Sequence, residues 1–419
     1  MKRLAKLLGL IIVLTVASVQ ASQAQESAAN KPFQTHKITC EFESVVFESQ
    51  YETGRISACE DLNDGHYLIT TLPENRPINP SPWYGFSVKS TQALAHQIRL
   101  SIQAEQSRPR YLPKISQDKQ NWQALNFEVA DNNLVIELTV GESIPTQYIS
   151  AQEVLDTSFY RSWNRDVAKA SAFELFTIGR SVEGRGIEAL VHQQADNKEW
   201  LLIIGRQHPP EITGALALLG FVDALIEPSE ATTALFDRFN ILLVPLVNPD
   251  GVAAGNWRHN VNGIDLNRDW GKFTQPETLA VHDKLKALMQ KDHRLVFALD
   301  FHSTQQDIFY TMPTDYIPII HKSQNIDAGV APSLFVEEWL EDVKQQSVRS
   351  FTLRDRPGSS PGRGVFKQFI ADEYGVHAVT YEVGDNTNRA LIKHVAQQAA
   401  ETLVTKLLAT PQADFIVAP

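Results

Sequence analysis

The second half of the chain alternates between short apolar runs and longer stretches with helical patterning. The apolar runs lie at residues 188–192, 201–204, 241–247, 295–300 and 378–382. Candidate helices lie between or after them, at 212–226, 276–290, 332–347 and 388–408. This alternation predicts an α/β domain over residues 151–410, built on a largely parallel and buried sheet.

The first half of the chain has a different pattern. Residues 38–47 and 134–140 are rich in β-formers and partly alternate between apolar and polar side chains, which is typical of half-buried strands. Turn-forming clusters, such as residues 75–82, separate such stretches. We therefore predict an all-β sandwich domain over residues 25–150. Its predicted core contains the aromatic residues Trp83, Tyr84, Phe86 and Trp122.

Residues 1–24 have the pattern of a secretory signal peptide. A basic start at residues 2–6 precedes an apolar stretch at 7–19, and the small residues Ala21 and Ala24 offer cleavage points. The apolar stretch is too short to span a bilayer comfortably, although an uncleaved anchor is an alternative. The pattern predicts a periplasmic or secreted protein with no membrane attachment after cleavage.

Cysteine content and net charge bear on which cellular compartment and which partners the sequence suits. The only cysteines are Cys40 and Cys59, which in an oxidising compartment would form one disulfide; two free buried thiols are the alternative. The formal net charge of -11 argues against a nucleic-acid partner, because a phosphate backbone would be repelled.

Candidate metal ligands follow the predicted strands at their carboxyl ends, where α/β sheets bind their ligands. His208 and Glu211 are three residues apart, so both can reach one metal ion from a single turn. His302, after the run at 295–300, would complete three protein ligands and leave a position for water, as in catalytic zinc sites. Each feature is weak alone, because about one H-x-x-E match is expected by chance and a lone strand-end histidine commonly bonds a backbone carbonyl.

A second group of polar residues lies between the two histidines. Asp265, Asn267 and Arg268 follow a turn, and Arg258 adds a second guanidinium upstream. Arginine can grip a carboxylate with two parallel hydrogen bonds. Two arginines and an amide beside an activated water suit hydrolysis next to a free C-terminal carboxylate. The alternative is an ordinary surface loop.

Together these motifs resemble the carboxypeptidase A superfamily of zinc metallocarboxypeptidases over roughly residues 170–405. The matching stretches are Ser-Val-Glu-Gly-Arg at 181–185, His-Pro-Pro-Glu at 208–211, Asn-Pro-Asp-Gly at 248–251, Gly-Asn-Trp-Arg at 255–258, Gly-Ile-Asp-Leu-Asn-Arg at 263–268 and Tyr-Glu at 381–382. Residues 80–155 also resemble the β-sandwich domain that precedes the peptidase domain in the cytosolic carboxypeptidase (Nna1-like) branch. The resemblance implies a doubly wound mixed sheet of the zinc carboxypeptidase type, preceded by an N-terminal all-β sandwich.

The resemblance also implies roles for the residues around the metal. One zinc ion (Zn2+) would be held by His208, Glu211 and His302. Asp265 would orient His208 from behind, which fixes the ring nitrogen that faces the metal. Glu382 would act as the general base, taking a proton from the attacking water and returning it to the leaving amine.

Substrate binding would fall to the polar loop residues. By resemblance, Arg258 would polarise the scissile carbonyl, and Asn267 and Arg268 would bind the terminal carboxylate. Arg363 lies near the position where Nna1-like enzymes carry a basic residue that faces an acidic side chain; a solvated loop residue is the alternative. In carboxypeptidase A a tyrosine on a mobile loop caps the substrate, and the corresponding stretch, 358–364, contains none.

The predicted function is hydrolysis of C-terminal amino acids from peptides or proteins. An amidase or deacylase that acts on cell-wall peptides or acylated amino acids is one alternative, since such enzymes use related zinc sites. A zinc-binding or protein-binding module that has lost catalysis is another, although Glu382 and all three candidate ligands are present.

Overall fold

The computed structural model describes residues 37–290, 292–346 and 354–416. The predicted signal peptide at residues 1–24 lies outside the described residues. Over the described ranges, no single helix is long and apolar enough to cross a membrane. One bent helix pair, Ile212–Ile226 with Glu230–Arg238, meets that criterion by length and composition only.

Two sheets with mainly antiparallel strand pairing form the N-terminal part. Their strands are β1 (Thr39–Glu41), β2 (Val45–Glu48), β3 (Ala58–Asp61), β4 (His66–Thr71), β5 (Gly85–Ser90), β6 (His96–Ala104), β7 (Lys114–Ser116), β8 (Gln123–Ala124), β9 (Glu128–Ala130), β10 (Asn133–Val140) and β11 (Gln147–Ser150). One sheet has the order β1-β2-β5-β11-β7-β8 and the other β3-β4-β6-β10-β9. Alternate residues of β4 are buried, as expected for strands with one face towards a core.

The core of this part is aromatic and aliphatic. Trp83, Tyr84 and Phe86 are buried in it, as predicted. Trp122 is only half-buried, so its placement in the core was wrong. It immediately precedes the short strand β8, and its indole donates a hydrogen bond to the Lys119 carbonyl (3.1 Å).

The predicted disulfide is present between Cys40 and Cys59, with a Cα–Cα distance of 6.2 Å. Cys40 lies in β1 and Cys59 in β3, so the bond links the two sheets of the sandwich.

The remaining residues form a mixed sheet flanked by helices. The strands are β12 (Glu174–Arg180), β13 (Gly186–His192), β14 (Glu199–Gly205), β15 (Phe239–Val244), β16 (Arg294–Thr304), β17 (Ile308–Thr311), β18 (Arg354–Pro357) and β19 (Ala378–Gly384). The helices are α1 (Thr157–Ala170), α2 (Ile212–Ile226), α3 (Glu230–Arg238), α4 (Pro249–Ala254), α5 (Pro276–Leu288), α6 (Ile319–Ser323), α7 (Phe335–Gln346), α8 (Phe366–Tyr374) and α9 (Arg389–Ala409). Short 3-10 turns lie at Leu266–Arg268 and Gln412–Phe415.

The sheet has the order β12-β13-β15-β14-β16-β19-β17-β18. Its centre, β15-β14-β16-β19, is parallel, whereas β12, β13 and β17 pair antiparallel with their neighbours nearer the centre. The sheet is therefore mixed, as the family resemblance implies, and less uniformly parallel than the hydrophobic pattern alone predicts.

Burial on both faces explains the continuous apolar runs. In β14, Leu201 and Ile203 pack into one core with α2 and α9, while Leu202 and Ile204 pack into a second core with α5 and α8. A strand covered on both faces needs no polar alternation. The five predicted runs accordingly correspond to β13, β14, β15, β16 and β19.

The missed strands lie at an edge of the sheet or are short. Strand β12 is an edge strand with mostly exposed or half-buried residues, and β17 and β18 have four residues each. Helices α1, α3, α4, α6 and α8 were also not predicted. The apolar core of the sandwich described above also contains Tyr160, Ile212 and Trp257 from the second part of the chain. The two parts therefore share a core. The domain limits 25–150 and 151–410 remain predictions.

Candidate active site

The predicted site residues meet at the carboxyl ends of the central parallel strands. His208 follows β14, while His302 lies in β16 and Glu382 in β19. His302 and Glu382 are register partners on adjacent strands, so their side chains leave the same face of the sheet. Helix α2 packs directly beneath them: a Cβ on Gly214 would lie 2.2 Å from the His302 carbonyl oxygen, so only glycine allows this approach.

Two imidazoles and one carboxylate converge at this point. Glu211 Oε1 lies 2.9 Å from His208 Nδ1, and Glu211 Oε2 lies 2.7 Å from His302 Nδ1. Glu211 stands at the N-cap position of α2, yet its side chain caps no backbone N–H. Ligand atoms of the three residues all lie within 4.8 Å of one another.

Each imidazole is also held on its far nitrogen by an acid. His208 Nε2 lies 2.9 Å from Asp265 Oδ1, and His302 Nε2 lies 2.7 Å from Asp300 Oδ2. Metal-binding histidines commonly have such a partner, which fixes the ring orientation and leaves the other nitrogen for the metal. Asp300 was not predicted as a site residue.

The charge balance of the cluster also suits a cation. Burial by itself raises the pKa of Glu211, but the facing imidazoles of His208 and His302 hold that pKa well below its usual range. A buried carboxylate and two buried imidazoles, each imidazole held from behind by an acid, are oxygen and nitrogen donors of the kind that zinc binds. The donor set therefore fits a divalent metal ion.

Glu382 stands beside this cluster in a poorly solvated position. Its Oε2 atom is buried and has no hydrogen-bond partner among the described residues. Burial raises the pKa of Glu382 to about 7; the charge of Glu211 adds to this effect, and the two imidazoles oppose it.

Arg258, Asn267 and Arg268 form a polar wall next to the cluster. Arg258 Nε donates to Asp265 Oδ2 (2.8 Å), so one carboxylate holds both Arg258 and His208. Arg268 is half-buried. Its pKa is lowered by burial and by the charges of Arg258 and Arg363, which Asp265 only partly offsets. An anion bound here would relieve that crowding of positive charge.

A cavity of about 510 Å³ opens over these residues. It is lined by six cationic side chains, Arg110, Arg258, Arg268, Arg356, Arg363 and Lys367, against two acidic ones, Glu211 and Glu382. Arg363 is exposed at its rim. The cavity is thus strongly cationic apart from these two carboxylates.

Lys367 and Arg110 are cavity residues that the sequence analysis missed. Lys367 is buried, its Nζ donates to the Thr311 and Gly358 carbonyls, and burial lowers its pKa to about 8. Arg110 comes from the sandwich and forms an ion pair with Asp385 (2.8 Å). Neither residue belongs to a motif, and only the fold brings them to the site.

Comparison with known proteins agrees with the architecture of the site. The family model described as "Zinc carboxypeptidase" matches residues 160–405. The chain belongs to the zinc carboxypeptidase family. The fold class inferred from the resemblance is thereby confirmed.

Named relatives and solved structures are similar to the chain at low identity. Cytosolic carboxypeptidase 3 of Bos taurus is 21% identical over 308 residues, covering 64% of this chain and 30% of the relative. Cytosolic carboxypeptidase 6 of Mus musculus is 24% identical over 294 residues, covering 62% of this chain and 53% of the relative. The chain thus matches only about a third to a half of the length of these proteins.

The fold matches that of a metallo-carboxypeptidase from Pseudomonas aeruginosa solved in complex with (2-guanidinoethylmercapto)succinic acid. The TM-score is 0.66 at 20% identity, with 86% of this chain and 98% of that chain covered. Because this match spans both the sandwich and the mixed sheet, it supports the combination of the two parts.

The relatives correct the predicted location. A periplasmic or secreted protein was expected from residues 1–24, but the relatives are named cytosolic carboxypeptidases, which contradicts that expectation. The signal-peptide pattern is a local feature of the N-terminus, and the described residues contain none of it.

Proposed function

We propose that this member of the zinc carboxypeptidase family is a metallocarboxypeptidase that removes C-terminal amino acids from peptides or proteins. One observation carries the proposal: His208 and Glu211 of the candidate metal-ligand cluster, Glu382 and the polar wall of Arg258, Asn267 and Arg268 all line one cavity. A site that only binds a metal would need no cationic side chains beside it. A site that only binds an anion would need no buried set of metal ligands.

His208, Glu211 and His302 would hold one zinc ion. Bound there, zinc supplies Lewis-acid activation of a water molecule, whose pKa it lowers to about 7. Glu382 takes the proton of the attacking water and then gives it to the amine of the departing residue. Its raised pKa matches both tasks near neutral pH.

The polar wall of Arg258, Asn267 and Arg268 orients the substrate. Asn267 and Arg268 bind the terminal carboxylate, which selects a free C-terminus. Arg258 donates to the carbonyl oxygen of the scissile bond and stabilises the negative charge that develops there. Asp265 keeps Arg258 and His208 in fixed relative positions, because it bonds both.

The test uses peptide pairs that differ only in a free or amidated C-terminus, with products identified by mass spectrometry after incubation with the zinc-loaded protein. We expect loss of single residues from the free peptides alone. Cleavage of amidated peptides at an equal rate would contradict the proposal and favour an amidase. Zinc binding without hydrolysis of any peptide would favour a non-catalytic module.

Two substitutions separate the metal from the base. Glu382→Gln should retain zinc but lower kcat by about 10²–10⁴-fold, because it removes the general base. His208→Ala should lose zinc as measured by elemental analysis. Glu401→Gln, at an exposed position of α9, serves as the matched control and should leave both properties unchanged.

We further propose a preference for an acidic C-terminal side chain. Two cations that line the cavity, Arg363 at its rim and the buried Lys367, have no acidic partner among the described residues. The matched Pseudomonas aeruginosa structure holds a succinic acid derivative, whose parent acid has two carboxylates. A substrate with a terminal and a side-chain carboxylate would satisfy both sets of cations.

Lys367→Met and Arg363→Ala test this preference with peptides that end in Glu, Leu or Lys. Hydrogen bonds to charged groups contribute about 1.5–3 kcal/mol, so the Glu-over-Leu ratio of kcat/KM should fall about 10–100-fold in the variant that loses the contact. Lys393→Met, on the exposed face of α9, is the control. An unchanged ratio in both cavity variants would refute the preference.

A further inference from the structure

The loop that carries Arg258 is held by a carboxylate from the β-sandwich. Glu74, in the segment between β4 and β5, is 4% exposed. Its Oε2 accepts a hydrogen bond from the Trp257 N–H (2.7 Å), and its Oε1 accepts from the N–H groups of Arg258 (2.9 Å) and His259 (2.6 Å). One buried carboxylate therefore binds three successive backbone N–H groups.

Neighbouring sandwich residues hold both ends of the same loop. Asn75 Oδ1 lies 2.6 Å from His259 Nδ1, and Asn75 Nδ2 donates to the Gly263 carbonyl (2.9 Å). Gly263 has a φ of 75°, and a Cβ there would lie 2.8 Å from Asn75 Nδ2, so the close approach requires glycine. Arg55 donates to Asn256 Oδ1 (3.1 Å) at the other end.

A short chain of contacts connects Glu74 to the metal ligands. Glu74 fixes the backbone of Arg258, and the Arg258 side chain donates to Asp265 (2.8 Å). Asp265 in turn bonds His208 (2.9 Å). The backbone and the side chain of Arg258 are thus fixed from two sides, by different parts of the molecule.

We propose that Glu74 is a positioning residue for Arg258, through which the β-sandwich becomes part of the catalytic apparatus. This inference rests on the role proposed above for Arg258. Charge-assisted hydrogen bonds are about twice as strong as neutral ones, and buried N–H groups that lose their acceptor must move to find another. A displacement of about 1 Å in a group that stabilises the transition state can cost about 10²-fold in rate.

The kinetic test uses the zinc-loaded full chain carrying Glu74→Gln, Glu74→Ala, Arg258→Gln and the double substitution Glu74→Ala/Arg258→Gln. Glu74→Gln keeps one oxygen acceptor, so kcat should fall about 10-fold, and Glu74→Ala should lower it about 100-fold. KM should change much less, because Arg258 acts on the transition state. Zinc content should stay that of the wild type. Glu60→Gln, exposed on β3, is the control.

The double substitution distinguishes positioning from general support. If Glu74 acts through Arg258, then Glu74→Ala should lower kcat no further in a chain that already carries Arg258→Gln. A full multiplicative loss, or an unchanged kcat in the single Glu74 variants, would overturn the inference. If Glu74→Ala does not fold, Glu74→Gln and its combination with Arg258→Gln decide the same question.

Hydrogen exchange of the backbone gives a readout that is independent of turnover. In Glu74→Gln, peptides covering residues 256–260 should exchange at least about tenfold faster, while peptides from α2 keep their wild-type protection. Unchanged exchange at 256–260 would refute the positioning role. A wild-type protein that hydrolyses no peptide would instead refute the proposed function, and the exchange measurement would still test the Glu74 contacts.

Discussion

At the scale of single residues, the imidazoles of His208 and His302 are supported in the same way but by acids from different parts of the sequence. Asp265 reaches His208 from a loop 57 residues away in sequence, whereas Asp300 supports His302 from the same strand. Residues i and i+2 of a strand share a face, so the Asp300–His302 pair is a signal that the sequence contains. The family resemblance implies the support of His208 by Asp265, but it did not extend to Asp300.

Asp300→Asn should weaken zinc binding about 10–100-fold, because the amide no longer supplies a negative charge behind His302. Competition with a chelator of known affinity measures the change. Asp283→Asn, exposed on α5, is the matched control. Equal zinc affinity in Asp300→Asn and wild type would show that the Asp300 contact does not tune the site.

At the scale of elements, a buried histidine anchors the start of strand β19, the strand that carries Glu382. His377 immediately precedes β19, is 2% exposed, and its Nε2 lies 2.7 Å from the Pro332 carbonyl ahead of α7. Burial lowers the pKa of His377 from 6.5 to about 4. This residue is thus a neutral structural donor in the fold and becomes charged on unfolding at mildly acidic pH.

The depressed pKa of His377 predicts a pH-dependent stability. Between about pH 6.5 and pH 4 the unfolded imidazole binds a proton that the folded one does not, so its stabilising contribution is complete above pH 6.5 and is lost as pH falls towards 4. The loss amounts to about 3 kcal/mol. Urea unfolding at several pH values should show a shallower decline for His377→Gln than for wild type, whereas His394→Gln, exposed on α9, should match wild type. Parallel declines in His377→Gln and wild type would contradict the assignment.

At the scale of the whole molecule, the β-sandwich and the mixed sheet act as one unit around the cavity. The sandwich contributes Arg110 to the cavity wall and shares an apolar cluster with residues of α1 and α2. The sandwich is itself tied together across its two sheets by the Cys40–Cys59 bond. The disulfide lies in the sandwich, so its loss should affect stability more than zinc binding.

Replacing both cysteines with alanine should lower the free energy of unfolding by about 3 kcal/mol, because the bond closes a loop with a sequence separation of 19. Calorimetry of the oxidised, reduced and substituted proteins measures the effect. Reduction should destabilise the wild type and leave the substituted protein unchanged, with zinc content equal in all three. Loss of zinc on reduction would show that the sandwich supports the metal ligands directly.

Much of the fold and the candidate metal-ligand cluster could be predicted from the sequence. The apolar runs at the centre of the sheet are readable because both their faces are buried, and the helices between them have clear limits. His208 and Glu211 are readable because they share one turn, and the rule that ligands gather at the carboxyl ends of parallel strands brings His302 and Glu382 to the same place.

The tertiary structure alone decided which distant residues complete the cavity. Lys367, Arg110 and Glu74 belong to no motif, and their roles depend on helix packing and on how the sandwich docks against the loop at 256–260. Local periodicity records which face of an element is buried, but it holds no information on which elements meet across long sequence separations. The sequence by itself therefore determined the candidate metal ligands and the central sheet, while the packing of the two parts determined the charge of the cavity and the position of Arg258.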